Sequence, residues 1–258
     1  MNSRKKQLDL INQLLDIMDE LRLKCPWDKK QTFQTLRTLT IEEVHELSEA
    51  IMEKNNSKIM SELGDIFLHI IFYSKIASDD NIFDIGDVTH LLCEKLINRH
   101  PHIYGDIKVS NVNDVKNNWE LIKLKEGNKS IFSGIPESLP EIIKALRIQD
   151  KASGVGFEWK NSNDVWKKFK EEENEFLEAI HLKDKSSIEN EFGDLMFSLI
   201  NYARFIKIDP DMALRKSNKK FVDRFKYMEK EIKLKNKSIN SMNLEDMNFY
   251  WREAKKNI

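Results

Sequence analysis

Carboxylate side chains at helical spacing are the groups in this chain best suited to chemistry, and they occur in two copies. The acidic residues of the first copy are Glu42, Glu43, Glu46, Glu62 and Asp65. Those of the second copy are Glu171, Glu172, Glu175, Glu191 and Asp194. Each residue of the second copy lies 129 positions after its counterpart, so the spacing within the two copies is identical.

Convergence of these carboxylates would create a site for a divalent cation. A helix over residues 41–51 places Glu43 and Glu46 on one face, since successive residues are about 100° apart. A second helix over residues 59–73 carries Glu62, Asp65 and His69 on one stripe, with no Lys or Arg on it. If the helices pack antiparallel, four carboxylates meet and repel one another unless a cation lies between them. Oxygen ligands suit Mg²⁺, with Mn²⁺ as the second candidate.

Two simpler interpretations compete with a metal site. An acidic helix face is usually solvated surface, and carboxylates near a helix N-terminus are stabilised by the helix dipole. The dipole effect is worth only about 0.3–1 kcal/mol, which is too little to hold two charges inside a core. Because neither interpretation explains why the pattern occurs twice, the repeat favours the metal site.

The elements around the carboxylates are predicted to be helical. Glycine (8) and proline (5) are scarce in the chain. Apolar residues recur at helical spacing from Leu8 to Leu21, and Pro26 is expected to end this helix. The repeat predicts an all-α chain of two tandem helical-bundle domains, residues 1–128 and 134–258, joined within residues 127–136. The helix over 59–73 is expected to be buried on all sides, and Gly64 and Gly193 to admit a neighbouring helix.

Composition narrows the possible partners. The chain is 40% hydrophobic and 33% charged, which is typical of a globular protein, and its net charge of −1 predicts neither a nucleic-acid nor a membrane partner. Cys25 and Cys93 are too far apart for a C-x-x-C site and do not form a disulfide framework. A cytoplasmic setting is expected, and the first ten residues have no apolar core for a signal peptide.

Cations that could meet phosphate groups also recur. Lys220 and Arg224 are four residues apart and share a helix face, and Trp251 follows near the C-terminus as a residue that could stack on a base. Lys95, Arg99 and Trp119 form a similar set in the first half. Each residue alone is more typical of solvated surface or of a core, and only the repetition of the set favours nucleotide binding.

The pattern E-E-x-x-E, then 15 residues, then E-x-x-D resembles the signature of the MazG family of all-α nucleoside triphosphate pyrophosphohydrolases, and the chain most resembles its two-domain bacterial members. Other matching stretches are residues 25–28 (CPWD), 99–102 (RHPH), 155–159 (VGFEW) and 218–225 (NKKFVDRF). The resemblance implies hydrolysis of NTP or dNTP to the monophosphate and pyrophosphate with Mg²⁺, in a homodimer, for nucleotide clearing or a stress response. Water attacks the α-phosphorus in the reaction that we infer, and pyrophosphate leaves.

The resemblance also assigns roles to residues. In the second half the metal ligands would be Glu172, Glu175, Glu191 and Asp194. The first half would hold a weaker site with the metal ligands Glu43, Glu46, Glu62 and Asp65. The candidate catalytic residues are Glu171, Glu172 and Glu175, and the candidate substrate-binding residues are Lys168, Glu171, Lys220, Arg224 and Trp251. The family has a basic residue where this chain has Ser187, so no phosphate contact is assigned there.

Two other functions, unequal activity of the two sites and a homodimer are further hypotheses. The chain could be a non-catalytic sensor or scaffold that binds nucleotide and metal, or a narrow pyrophosphatase that prefers dUTP or dCTP. The second site is expected to carry most activity, because Lys168 has Leu39 as its counterpart and the helix of Lys95 and Arg99 stops at Pro101. A homodimer is also expected, since one small domain cannot cover Leu63, Phe67, Ile70, Ile71 and Phe72.

Overall fold

A computed structural model describes residues 2–111, 114–115, 118–119, 122 and 130–258. Every regular element in these residues is a helix, which confirms the predicted all-α class. Contacts divide the chain into two compact units, Met1–Lys108 and Val109–Ile258. None of the described helices is long and apolar enough to cross a membrane.

The first unit contains five helices that follow the chain in order. They are α1 (Arg4–Lys24), α2 (Phe33–Met52), α3 (Asn56–Asp79), α4 (Ile85–Arg99) and α5 (Pro101–Tyr104), with a 3-10 turn at Asp28–Lys30. Helix α1 ends just before Pro26, as predicted. Thr32 and Asn55 start α2 and α3, because their side chains accept hydrogen bonds from backbone N–H groups of the first turn.

The described helices of the second unit repeat this plan. They are α6 (Glu141–Gly154), α7 (Ser162–Leu182), α8 (Lys185–Phe205), α9 (Pro210–Leu234) and α10 (Leu244–Asn257), with a 3-10 turn at Ile239–Ser241. Asn161 and Asp184 cap α7 and α8. Lys183 adopts a left-handed conformation at the end of α7, with φ of 58°, so the chain reverses at once into α8.

Each unit has its own apolar core. In the first unit, α1, α2 and α3 meet at a cluster made of Met18, Leu36, Ile71, Phe72 and Ile76. In the second, α9 and α10 join around Met228, Ile232 and Tyr250. The α2–α3 pair and the α7–α8 pair thus form a helical hairpin in each unit, and these hairpins carry the acidic motifs.

Two expectations about packing are wrong within the single chain. Helix α3 is not buried on all sides, because Met60, Leu63 and Ile70 are 74%, 52% and 42% exposed. A Cβ atom built at Gly64 or Gly193 would meet nothing within 4 Å, so neither glycine admits a neighbouring helix of the same chain. The described neighbours of each hairpin cover one side of it and leave the other open.

The domain limits 1–128 and 134–258 stay a prediction. The division between the packed units follows Lys108, earlier than the predicted limit. The first three residues of the predicted junction, 127–129, lie outside the described residues.

Candidate active site

The α2–α3 hairpin brings the first set of carboxylates together. Thr40 of α2 contacts His69 and Tyr73 of α3, whereas Glu46, further along α2, meets Glu62, which is earlier on α3. The partner number falls as the residue number rises, so the two helices are antiparallel, as expected. Carboxylate oxygens of Glu43, Glu46 and Glu62 all lie within 4.8 Å of one another.

Burial and mutual repulsion raise the pKa of two carboxyl groups in this cluster. The pKa of Glu43 is raised, first by burial and then by the charges of Asp65, Glu46 and Glu62. Burial also raises the pKa of Glu62, followed by the charges of Glu46 and Asp65. Asp65 therefore acts electrostatically on both residues, although it is outside the group of three. A bound cation would remove this repulsion and displace protons.

The structure weakens both simpler interpretations of the acidic motif. Glu62 is the seventh residue of α3, and Glu191 is the seventh residue of α8, so both lie beyond the first turn where the helix dipole acts. The face of α2 with Glu43 and Glu46 turns toward α3, while Ile41 is 44% exposed to solvent. The acidic face therefore turns partly toward α3, with Glu43 half-buried and Glu46 still exposed to solvent.

The α7–α8 hairpin holds the equivalent group in the second unit. Carboxylate oxygens of Glu172, Glu175 and Glu191 lie within 4.8 Å of one another, and Glu172 is only 7% exposed. Asp194 follows Glu191 by three residues on the exposed side of α8 and is not part of this group. The same three positions thus converge in both units, while the fourth predicted ligand lies beside them.

Lys168 distinguishes the second group from the first. Its Nζ lies 2.6 Å from Oε1 of Glu171 and 2.7 Å from Oε1 of Glu172. Hydrogen bonds to Glu171 and then to Glu172 raise the pKa of Lys168 above its usual range. The pKa of Glu175 is raised by burial and by the charge of Glu172, and Lys168 partly opposes this. The counterpart of Lys168 is Leu39, which packs against the core of the first unit.

The other predicted nucleotide contacts lie on α9 and α10. Lys220 is exposed, whereas Arg224 is half-buried and its buried Nε has no hydrogen-bond partner among the described residues. The Trp251 ring lies 5.0 Å from that of Phe221 and packs on the core of the unit. Ser187 hydrogen-bonds to Asp184 at the start of α8. That these α9 and α10 side chains reach a nucleotide at the carboxylates stays a prediction.

The corresponding cationic residues of the first unit, Lys95 and Arg99, lie near the end of a helix. Helix α4 stops at Arg99, and Pro101 begins the short helix α5. Helix α9 continues for ten residues beyond Arg224. Lys95 is exposed, and Trp119 belongs to the second unit, whereas Lys95 and Arg99 belong to the first.

Sequence reasoning placed His69 on the acidic stripe but missed its hydrogen-bond partners and the aromatic side chains at the corresponding positions of the second unit. In the first unit, the Thr40 hydroxyl lies 2.9 Å from Nδ1 of His69 and 2.7 Å from the Tyr73 hydroxyl. In the second, the Trp166 ring lies 4.9 Å from Phe169 and 4.8 Å from Tyr202. The 129-residue offset pairs Thr40 with Phe169, so a comparison of the repeats beyond the acidic motif would have exposed the difference.

Comparisons with known proteins agree on one family. The MazG nucleotide pyrophosphohydrolase domain matches residues 31–104 and 161–228, which together are more than half of the chain. A Thermotoga maritima protein named nucleoside triphosphate pyrophosphohydrolase/pyrophosphatase MazG is 43% identical over 95% of this chain and 96% of its own length. The Escherichia coli K12 nucleoside triphosphate pyrophosphohydrolase is 34% identical over 96% and 98%. Each matched segment contains one complete acidic motif.

Proposed function

The chain belongs to the MazG nucleotide pyrophosphohydrolase family, and we propose that it hydrolyses nucleoside triphosphates to nucleoside monophosphate and pyrophosphate. The observation that carries the proposal is the convergence of three carboxylates within 4.8 Å in each of two hairpins. The names of the two full-length relatives support the same activity. Nucleoside triphosphates, as ribonucleotides or deoxyribonucleotides, are therefore the substrate class.

The carboxylate groups fit a hard divalent cation, and we assign Mg²⁺, with Mn²⁺ as the alternative. Every donor in the group is a carboxylate oxygen, and burial together with the charges of neighbouring carboxylates raises the pKa of Glu43 and of Glu175. Glu172, Glu175 and Glu191 would hold the ion, with Asp194 completing the set. When bound, the ion supplies Lewis-acid polarisation of phosphate oxygens.

The protein's own groups divide the remaining work. Lys168, held by Glu171 and Glu172, is placed to meet a phosphate and offset the charge that develops on it. Glu171 is exposed and lies outside the three-carboxylate group, so its carboxylate, besides pairing with Lys168, can orient the attacking water and accept its proton. Lys220 and Arg224 add positive charge from α9, and Trp251 is assigned to the base.

The products of the reaction test the proposal directly. Purified protein with Mg²⁺ should convert an NTP to NMP and pyrophosphate, and EDTA should stop the reaction because the carboxylates then lack their counterion. Chromatography of nucleotides together with a pyrophosphate assay measures both products. NDP and orthophosphate as products would mean attack at the γ-phosphorus and would contradict the proposal.

The same experiment separates the two other hypotheses. A sensor or scaffold would bind nucleotide without releasing pyrophosphate. A panel of NTPs and dNTPs that includes dUTP and dCTP would reveal a narrow enzyme as a single strong preference among the substrates.

We further propose that the working form is a homodimer or a higher homo-oligomer. Ile71 and Phe72 lie in the core and need no partner, contrary to the expectation from sequence, but Leu63 and Ile70 are half-exposed. The hairpin of the second unit likewise exposes Leu177 and Phe192, at 55% and 50%. Exposed apolar side chains on the hairpins of both units are typical of an interface between copies.

Light scattering at micromolar concentration measures this assembly. We expect a mass of at least twice the 30.5 kDa of one chain. A mass of one chain across that concentration range would contradict the proposed assembly and leave the proposed reaction untouched.

A further inference from the structure

The hydroxyl of Thr40 fixes the proton positions of a small network in the first unit. It donates its single hydrogen to the backbone carbonyl of Leu36, at 3.0 Å. It also lies 2.7 Å from the Tyr73 hydroxyl and 2.9 Å from Nδ1 of His69. Both of these contacts can run in either direction, and donation from the Thr40 hydroxyl to Leu36 leaves its oxygen to accept hydrogen bonds from both neighbours.

With Thr40 as the acceptor, His69 carries its proton on Nδ1. The residue is only 7% exposed, and burial lowers the pKa of His69, which favours the neutral ring. A neutral imidazole with a proton on Nδ1 presents Nε2 as a pure hydrogen-bond acceptor. The Tyr73 hydroxyl also contacts the Thr40 hydroxyl, so the network orients the imidazole ring before any ligand binds.

The acceptor lies beside the first carboxylate group. His69 follows Asp65 by four residues on the same face of α3, which is about 6 Å along the helix axis. The charge of Asp65 acts on the imidazole, so the two side chains are close. In a nucleotide whose phosphates meet the carboxylate site, the sugar is the next group along the molecule, and it carries hydroxyl donors.

The second unit has no equivalent acceptor at these positions. Phe169 replaces Thr40, and Ser198 replaces His69 and hydrogen-bonds to the carbonyl of Leu195 at 2.9 Å. Tyr202, which corresponds to Tyr73, packs instead against Trp166. Both sites share the three-carboxylate group, but the side chains at these positions differ. They are polar in the first unit and mainly aromatic in the second.

We propose that Nε2 of His69 accepts a hydrogen bond from a sugar hydroxyl of the nucleotide at the first site, so that this site selects by sugar and the second does not. The inference rests on the proposed function, because it requires that a nucleotide binds with its phosphates at the carboxylate group. His69 is then a specificity-determining residue that touches substrate. Thr40 and Tyr73 are positioning residues that fix its tautomer.

Calorimetric binding tests the proposal without relying on turnover. The chain with Glu172→Gln and Glu175→Gln leaves the first carboxylate group intact. It is titrated in Mg²⁺ with an α,β-methylene ribonucleoside triphosphate, which resists cleavage at the α–β bond, and with its 2′-deoxy and 3′-deoxy forms. We expect one of the two deoxy forms to bind about three- to tenfold more weakly, as befits one neutral hydrogen bond.

Substitutions at His69 separate recognition from structure. His69→Phe keeps a ring in the core and should remove the sugar preference, whereas His69→Gln offers an amide oxygen near the Nε2 position and should retain part of it. Ser198→Ala, at the corresponding position of the second unit, is the matched control and should leave the preference unchanged. Thermal unfolding of each variant shows whether the fold is intact.

Several outcomes would overturn the proposal, and they differ from failure of the proposed function. Equal binding of all three nucleotides, or a preference that survives His69→Phe, would show that His69 does not contact the sugar. A discrimination that follows a base amino group instead would assign the acceptor to the wrong part of the nucleotide. Absence of binding to this variant would mean that the first site holds no nucleotide, while pyrophosphate release by the unmodified chain still tests the reaction separately.

Discussion

Replacement of Glu172 by Gln is expected to abolish pyrophosphate release, whereas Glu43→Gln should leave most of it. The two residues occupy the same position in the repeat, and each belongs to a three-carboxylate group. The expected difference comes from what surrounds them. Glu172 is 7% exposed and its carboxylate lies 2.7 Å from Lys168, whereas position 39, the counterpart of Lys168, is an uncharged leucine.

The magnitude follows from the charges that each site can offer a triphosphate. A charge-assisted contact to a phosphate is worth about 1.5–3 kcal/mol, which is roughly one to two powers of ten in rate or affinity. The first site lacks this contact, and its cations Lys95 and Arg99 lie on a helix that ends at Arg99. Lys220 and Arg224 lie inside α9, which continues beyond Arg224, and we expect this longer helix to hold them more rigidly.

Steady-state assays of the two variants beside the unmodified chain measure the difference. Gln has nearly the size of Glu, so the packing of α7 on α8 should survive, and thermal unfolding checks this. Glu178→Gln is a matched control on the exposed side of the same helix, outside the carboxylate group. Equal losses in the two variants, or a larger loss with Glu43→Gln, would show that the sites are assigned the wrong way round.

The convergence of the carboxylates could be predicted from sequence because it depends only on helical period and antiparallel packing. Glu43 and Glu46 are three residues apart on α2, and any antiparallel partner with Glu62 on its inner face brings the three together. The all-α fold class could likewise be predicted from the spacing of apolar residues. Both predictions use local rules that hold wherever the helix finally packs.

Features that depend on which neighbours cover a helix could not be predicted in the same way. The apolar surface of α3 predicted burial on all sides, yet Leu63 is 52% exposed, because apolar composition does not say whether the covering partner belongs to the same chain. The hydrogen bond between Thr40 and His69 spans 29 residues of sequence, and no periodicity connects the two. The ion pairs of Lys168 with Glu171 and Glu172 fit helical spacings of three and four residues but were not predicted, and their effect on the pKa of Lys168 needed the observed distances.

Substitution of Lys168 by Met is expected to lower kcat/KM about ten- to a hundredfold, which is the loss of one charged phosphate contact. Met keeps the length and the apolar stem of the side chain and removes only the charge. The requirement for Mg²⁺ should change in the opposite direction. Lys168 neutralises Glu171 and Glu172 when no cation is bound, so its removal leaves those carboxylates free to bind the ion at a lower concentration.

These opposite shifts distinguish a phosphate contact from a structural role. Initial rates are measured against nucleotide at saturating Mg²⁺ and against Mg²⁺ at fixed nucleotide. Lys167→Met is the matched control, because Lys167 is 78% exposed and pairs with Asp164 at 3.3 Å, away from the carboxylate group. Lys168→Arg should restore much of the activity, since Arg also offers a permanent charge to phosphate. If Lys168→Met instead lowers the thermal stability and raises the Mg²⁺ requirement together, Lys168 holds the hairpin in place and does not bind substrate.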